Sequence, residues 1–420
     1  MKKEFFQNNR KALLSLIEND SIVVLHSGYA SFKTADQMFP YVVNRNFYYM
    51  SGIKQENVIL VMGKNNDVVF EKLFIEEIDE VKAKWTGRTL SKKEASDISG
   101  VEEKDIMYLP SFENFIFAMF QNARHATLTA NQIYLDLELR RVPLYTTFSL
   151  RLSKKIKDDF PAILVKNCYR LIVKLRTQKQ PEEVELMVES IETTNRAILN
   201  VMKHHNELTV ESLGEAYHDF ILIKEGKEKS FNNIIAAGHN ATVLHYEENN
   251  SLIEENSLLL MDVGCYTNEY SSDITRTFPV SGKFTDRQKA VYEVVLNCNK
   301  KCIEFLKPGV TFKEYNDYAR KLLFEGCKEL GIVETEADLF KYYYHSIGHS
   351  LGLDVHDPAV ESDGILEGMV LTVEPGLYIE EESIGIRIED DVLITKDGAV
   401  NLSSEIIKEV VDIEEFMKKN

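Results

Sequence analysis

Apolar and polar positions change periodicity several times along this chain, and the changes predict its elements. Residues 9–18 follow helical spacing, and the apolar runs Ile22-Val-Val-Leu-His-Ser-Gly, Asn57-Val-Ile-Leu-Val-Met-Gly and Asp67-Val-Val-Phe come after them. Short runs of this kind, two of them closed by glycine, predict sheet strands, with helices between or after them such as 111–124. Residues 1–165 are therefore expected to form an α/β domain. A strand-like apolar stretch fills 161–177, and Gln178-Lys-Gln-Pro-Glu-Glu-Val-Glu-Leu-Met then opens a long amphipathic helix, with proline in the first turn and acids behind it. Beyond that boundary, helices over 181–206, 209–226, 285–307 and 311–330 alternate with strand pairs. The second domain, 175–412, thus reads as α+β with a largely antiparallel sheet.

Those strand pairs carry the chemistry. Ser257-Leu-Leu-Leu-Met-Asp262-Val-Gly264 is an apolar strand closing on a carboxylate, and Glu269-Tyr-Ser-Ser-Asp273-Ile-Thr-Arg-Thr-Phe-Pro is a second strand. Paired antiparallel, the two can present Asp262 and Asp273 to one pocket. Either acid alone would read as a strand cap or a surface group, but an acid set directly behind four apolar residues weakens that reading. His345-Ser-Ile-Gly-His349-Ser-Leu-Gly-Leu-Asp-Val-His356-Asp gathers three of the ten histidines in one window. The helical zinc-protease signature needs Glu after the first His, and Ser346 stands there instead. Gly348 and Gly352 predict a loop leading into a helix. Leu371-Thr-Val-Glu374-Pro-Gly ends an apolar strand on an acid, and Ile384-Gly-Ile-Arg387-Ile-Glu389 alternates, so Arg387 and Glu389 share a face. Asp262, Asp273, His349, Glu374 and Glu389 together make an oxygen-rich ligand set suited to two divalent metals side by side. The set points to a dinuclear metallohydrolase.

Composition narrows the setting. At 420 residues the chain calls for more than one core. No apolar run reaches the roughly 20 residues of a membrane span, and the charged start lacks the apolar stretch of a signal peptide. A cytoplasmic protein is the default expectation, with no membrane partner. Acids outnumber bases 67 to 49, which opposes nonspecific nucleic-acid binding. The cysteines, Cys168, Cys265, Cys298, Cys302 and Cys327, are odd in number and form no CxxC pair, so they read as buried free thiols.

The ordered segments Met-Asp262-Val-Gly, Ser-Asp273-Ile-Thr-Arg-Thr-Phe-Pro-Val, His345 to Asp357, Thr-Val-Glu374-Pro-Gly-Leu-Tyr and Gly-Ile-Arg387-Ile-Glu389-Asp-Asp resemble the creatinase-type metallopeptidases of the pita-bread fold, over roughly 175–410. Asn240-Ala-Thr-Val-Leu-His245-Tyr246 resembles the segment that gives the branch cleaving beside proline an additional active-site histidine. Asn9-Arg-Lys-Ala-Leu and Phe39-Pro-Tyr-Val-Val-Asn-Arg-Asn-Phe-Tyr-Tyr-Met-Ser-Gly-Ile resemble the N-terminal domain of the aminopeptidase P family, although Asn9 stands where that family often has a second arginine.

The resemblance implies that Asp262 chelates one metal, Asp273 and Glu389 bridge, and His349 and Glu374 hold the other. Manganese is the usual ion, and cobalt, iron or zinc suit the same ligands. His245, His345 and His356 would stand around the substrate and Arg387 would orient Asp262. The expected reaction is attack of a bridging hydroxide on the bond between an N-terminal residue and proline, with Glu374 moving the proton. A homo-oligomer, dimer or tetramer, is expected. The single tryptophan, Trp85, is either a contributor to a neighbouring subunit's proline pocket or a domain-packing anchor. The rivals are a prolidase, limited to Xaa-Pro dipeptides; a methionine aminopeptidase, disfavoured by the large N-terminal domain and His245; and a pseudo-peptidase binding module, which should have lost ligands.

Overall fold

Ile22 to Leu25 are buried on both faces of their strand, which is why that run is continuously apolar rather than alternating. The strand, Ser21–His26, lies inside a mixed six-stranded sheet in the order Ile106–Tyr108, Val68–Ile75, Ile59–Asn65, Ser21–His26, Gln132–Leu135, Leu164–Asn167. It runs antiparallel to Ile59–Asn65 and parallel to Gln132–Leu135. The computed structural model describes residues 1–65, 68–121, 128–138, 146–360 and 364–420. They divide into two units, Met1–Leu175 and Arg176–Asn420.

In the first unit the opening helix is Lys3–Leu16, burying Phe5, Phe6, Leu13 and Leu14. Asn9 and Arg10 are buried beside them and reach backbone carbonyls: Asn9 Nδ2 donates to Tyr49 O at 2.9 Å, and Arg10 Nη1 to Met50 O at 2.8 Å. The stretch 161–177 is a strand only over Leu164–Asn167; Tyr169–Thr177 is helical. Ile172 and Val173 are both buried there, a helix stripe that a short apolar run cannot be told from a strand. The helix expected over 111–124 spans Phe112–Phe120; its last three positions, and Asp67, lie outside the described residues. Trp85 lies in the last turn of a short helix, Glu80–Thr86, and is 86% exposed.

The second unit is α+β, and every strand pairing in it is antiparallel. Its first helix, Pro181–Lys203, starts on a Gln180 to Glu183 capping box. Asp286–Phe305 and Phe312–Glu329 start on Thr285 and Thr311 boxes. The long helices cover one side of the sheets Ile234–Ala237, Leu258–Val263, Ile274–Pro279 and Val370–Val373, Asp390–Thr395, Gly398–Asn401, in one core that includes Ile198, Phe278, Leu296 and Ile388. Cys298 and Cys302 sit in that core with Sγ atoms 3.9 Å apart, and all five cysteines are buried and free.

Candidate metal centre

Asp262 lies near the end of Leu258–Val263 and pairs across the ladder with Thr275, so Asp273, just before that partner strand, comes to the same end of the sheet. Glu374 follows Val370–Val373, and Glu389 stands between Ile384–Arg387 and Asp390–Thr395. His349 is carried by an irregular segment laid along Val370–Val373. Its backbone N–H donates to Thr372 Oγ1 at 3.0 Å, and Thr372 N–H donates back to His349 O at 2.9 Å. Gly348 permits the approach, since a Cβ there would lie 2.0 Å from Thr372 O. No helix follows this segment among the described residues, contrary to expectation. The backbone of residues 347–351 is engaged with the neighbouring strand instead, at Glu374 N–H to Ile347 O (2.8 Å) and Leu351 N–H to Val370 O (3.0 Å).

Single ligand atoms of Asp273, His349 and Glu389 lie within 4.8 Å of one another. His349 Nε2 is 3.5 Å from Asp273 Oδ2 and 3.6 Å from Glu374 Oε1. Its Nδ1 faces Ser350 O at 3.0 Å and must donate there, which leaves the Nε2 lone pair toward the acids. Arg387 Nη2 donates to Asp262 Oδ2 at 2.7 Å, and Asp262 Oδ1 is buried with no hydrogen-bond partner among the described residues. Thr275 Oγ1 takes a hydrogen bond from Arg387 Nε at 3.0 Å and donates to Glu389 Oε2 at 2.6 Å.

The electrostatics are lopsided. Burial, reinforced by neighbouring acids, pushes the carboxyls of Asp273 and Glu389 far above their ordinary range, and burial also raises Glu374. Arg387 is the guanidinium that faces Asp262, Glu389 and Glu374. An orphaned carboxylate oxygen, an imidazole with a free lone pair and an excess of buried acid suit divalent metal ions and little else. The donor set therefore fits the metals that the sequence implied.

Around the acids stand the other histidines. His345 Nδ1 donates to Ser346 O at 2.7 Å, and Nε2 accepts from Tyr378 O–H at 2.9 Å, so both ring nitrogens are engaged. Burial and Arg387 lower its pKa to about 4. Arg387 Nη1 donates to the same Tyr378 oxygen at 3.0 Å. The His356 ring lies 4.1 Å from that of His349, and burial lowers its pKa to about 4. His245 is exposed. Sequence reasoning missed Tyr378, Thr275 and Asp391. Asp391 Oδ2 accepts the Asp273 N–H at 3.1 Å, its other oxygen is buried without a hydrogen-bond partner among the described residues, and burial raises its pKa strongly. A signal for Asp391 existed in three consecutive acids running into an apolar strand.

Comparison with known proteins follows the same division. Residues 185–396 match the model of metallopeptidase family M24, and residues 6–128 match that of the aminopeptidase P N-terminal domain. A Xaa-Pro aminopeptidase of Haemophilus influenzae is 32% identical, over 99% of this chain and 97% of that one. A Bacillus anthracis protein assigned to aminopeptidase P superposes with a TM-score of 0.96 at 45% identity, covering 100% of this chain and 99% of the other. Aminopeptidase P of Escherichia coli with the inhibitor Pro-Leu superposes at 0.91 and 28% identity, covering 100% and 99%.

Proposed function

The chain belongs to metallopeptidase family M24, with an aminopeptidase P N-terminal domain ahead of a pita-bread catalytic unit, and from that premise we propose that it releases the N-terminal residue of peptides whose second residue is proline. It is a metal-dependent hydrolase. The observation that carries the reading is the cluster of buried Asp262, Asp273 and Glu389 with half-buried His349 and Glu374, in which four acids gather around Arg387.

Asp262, Asp273, His349, Glu374 and Glu389 would hold two divalent ions, with manganese as our choice of native metal. Such ions supply Lewis acidity and generate a nucleophile from water near neutral pH. Arg387 fixes Asp262 through the 2.7 Å bond and reaches Glu389 through Thr275. Glu374, beside His349, would carry a proton to the proline nitrogen as it leaves. His356 and His245 would donate to the carbonyl oxygen as its charge grows, and the substrate ammonium belongs near Asp262. His345, with both nitrogens engaged, acts through Tyr378 to steady Arg387.

Free buried cysteines support a reducing, cytoplasmic setting. No helix among the described residues is long and apolar enough to cross a membrane. Exposed Trp85, Phe32, Val81 and Val42 in the first unit support a homo-oligomer.

The N-terminal domain separates an aminopeptidase from a prolidase. With manganese in excess, an Xaa-Pro-Xaa tripeptide should be cleaved with higher kcat/KM than the Xaa-Pro dipeptide, because contacts beyond proline add transition-state binding. A clear preference for the dipeptide would move the assignment to prolidase.

A further inference from the structure

We propose that Glu211 is a positioning residue for His245: a buried carboxylate that fixes the loop on which this histidine approaches the substrate. The inference rests on the role given to His245 above and deepens it.

Glu211 opens the helix Glu211–Lys224 and is fully buried, and no lysine or arginine pairs with it among the described residues. A desolvated carboxylate without a cation is costly unless its oxygens are saturated with donors. They are. Oε1 accepts from Ala237 N–H at 2.8 Å and Asn240 Nδ2 at 2.9 Å; Oε2 accepts from Tyr246 O–H at 2.7 Å and Ser251 N–H at 2.9 Å. All four donors belong to residues 237–251, the segment that carries His245, and Tyr246 is its immediate neighbour.

Other ties hold the same segment. Asn249 joins Ile235 N–H (2.9 Å) to Asn233 O (2.8 Å) through its side chain. Tyr344 O–H donates to Thr242 O at 2.8 Å. Gly385, on the strand that carries Arg387, lets Ala241 O come so close that a Cβ would lie 2.1 Å from it. The loop is thus seated against the Arg387 strand at one end and closed on Glu211 at both. The His245 ring makes no hydrogen bond of its own among the described residues and is exposed. An exposed ring can hold a fixed position over the site only through its backbone. Glu211 grips this backbone on both sides of it, at Ala237 N–H and Ser251 N–H.

The test is a mutant cycle read as kcat, KM, bound metal and melting temperature on a manganese-loaded Xaa-Pro-Xaa assay. Glu211→Gln keeps the shape but offers one acceptor oxygen to four donors. His245→Ala and Glu211→Gln should each lower kcat about tenfold with KM and metal content kept, and the double variant should fall no more than about twofold below His245→Ala, as for groups acting as one unit. Tyr246→Phe removes a single bond and should lower kcat about threefold, again only where His245 is present. Losses that multiply in the double variants would mark general support of the fold and overturn the proposal. A fast Glu211→Gln beside a slow His245→Ala overturns it alone, whereas a wild-type kcat in His245→Ala overturns the role of His245 and this proposal with it. Should Glu211→Gln fail to fold, the Tyr246→Phe and His245→Ala cycle decides by the same criterion.

Discussion

Asp390 and Asp391 are neighbours on one strand, both fully buried, and their surroundings are opposite. Successive residues of a strand point to opposite faces. On one face Asp390 accepts from Arg276 Nη2 at 2.7 Å and from Ser403 Oγ at 2.9 Å, and Lys408 closes on its second oxygen. Those cations outweigh burial and hold its pKa at about 2. On the other face Asp391 accepts the Asp273 N–H, no lysine or arginine bonds it among the described residues, and burial drives its pKa up. The Arg176, Lys179, Asp354 and Asp357 group repeats the first pattern: two buried cations, a doubly bound Asp357 and no orphaned carboxylate oxygen. At Asp390 and Asp357 the fold supplies the cations from its own chain. At Asp273 and Glu389 it supplies neither enough cations nor, as at Glu211, a full set of neutral donors, and the charge is left for an ion from outside.

The largest way to break that comparison is to remove an acid that the chain leaves unbalanced. Asp273→Asn takes away one of the two proposed bridging groups, and outer-sphere changes alone cost about 10–100-fold in metal affinity or activity. Metal content should fall and turnover should drop roughly a thousandfold or more, with the fold kept. Full metal by elemental analysis together with wild-type activity would sink the assignment of this cluster.

Much of the cluster is legible in the sequence, because each acid interrupts an apolar run and burial of the run drags the acid inside. Asp262 behind Leu258 to Met261 and Glu374 behind Val373 are the plain cases. Partners that act through hydroxyls were illegible: nothing in the spacing of Thr275 or Tyr378 says that one would link Arg387 to Glu389 and the other would meet both Arg387 and His345. The same limit hid Glu211, one acid among many on an amphipathic helix until its donors converge in space. The helical half of 161–177 and the irregular run after Gly352 were misread for a local reason. Short apolar or glycine-spaced stretches take their conformation from what they pack on, and sequence period does not record that.

The comparison sharpens if the two adjacent acids are neutralised one at a time in metal-free protein. Asp390→Asn leaves Arg276 and Lys408 buried beside a neutral amide, and breaking a buried pair in this way costs about 3–5 kcal/mol. Asp391→Asn keeps the acceptor for Asp273 N–H and removes charge from a site already crowded with acid, so its cost should lie within about 0.5 kcal/mol of zero or be negative. Urea denaturation read at one pH gives both numbers. Equal losses would show that the two faces do not differ as their contacts indicate.

Glu183 offers the mildest test, since it is a buried acid intermediate between the two patterns. It accepts from Gln180 N–H and Tyr270 O–H, both at 2.9 Å, and no cation bonds it directly, so burial lifts its pKa from 4.5 to about 7. The sign follows from proton binding. Below pH 4.5 the carboxyl is protonated folded and unfolded alike, and its contribution to stability is whole. As pH rises the unfolded chain ionises first, and the contribution is lost through about pH 7. At one pKa unit per 1.36 kcal/mol the loss is at most about 3 kcal/mol. Glu183→Gln cannot ionise and should be spared it. The wild type should therefore lose stability relative to the variant between pH 4.5 and pH 8, measured on metal-loaded protein in paired urea melts. Parallel stability curves would mean that Lys179, which also lowers this pKa, neutralises Glu183 as fully as Arg276 and Lys408 neutralise Asp390.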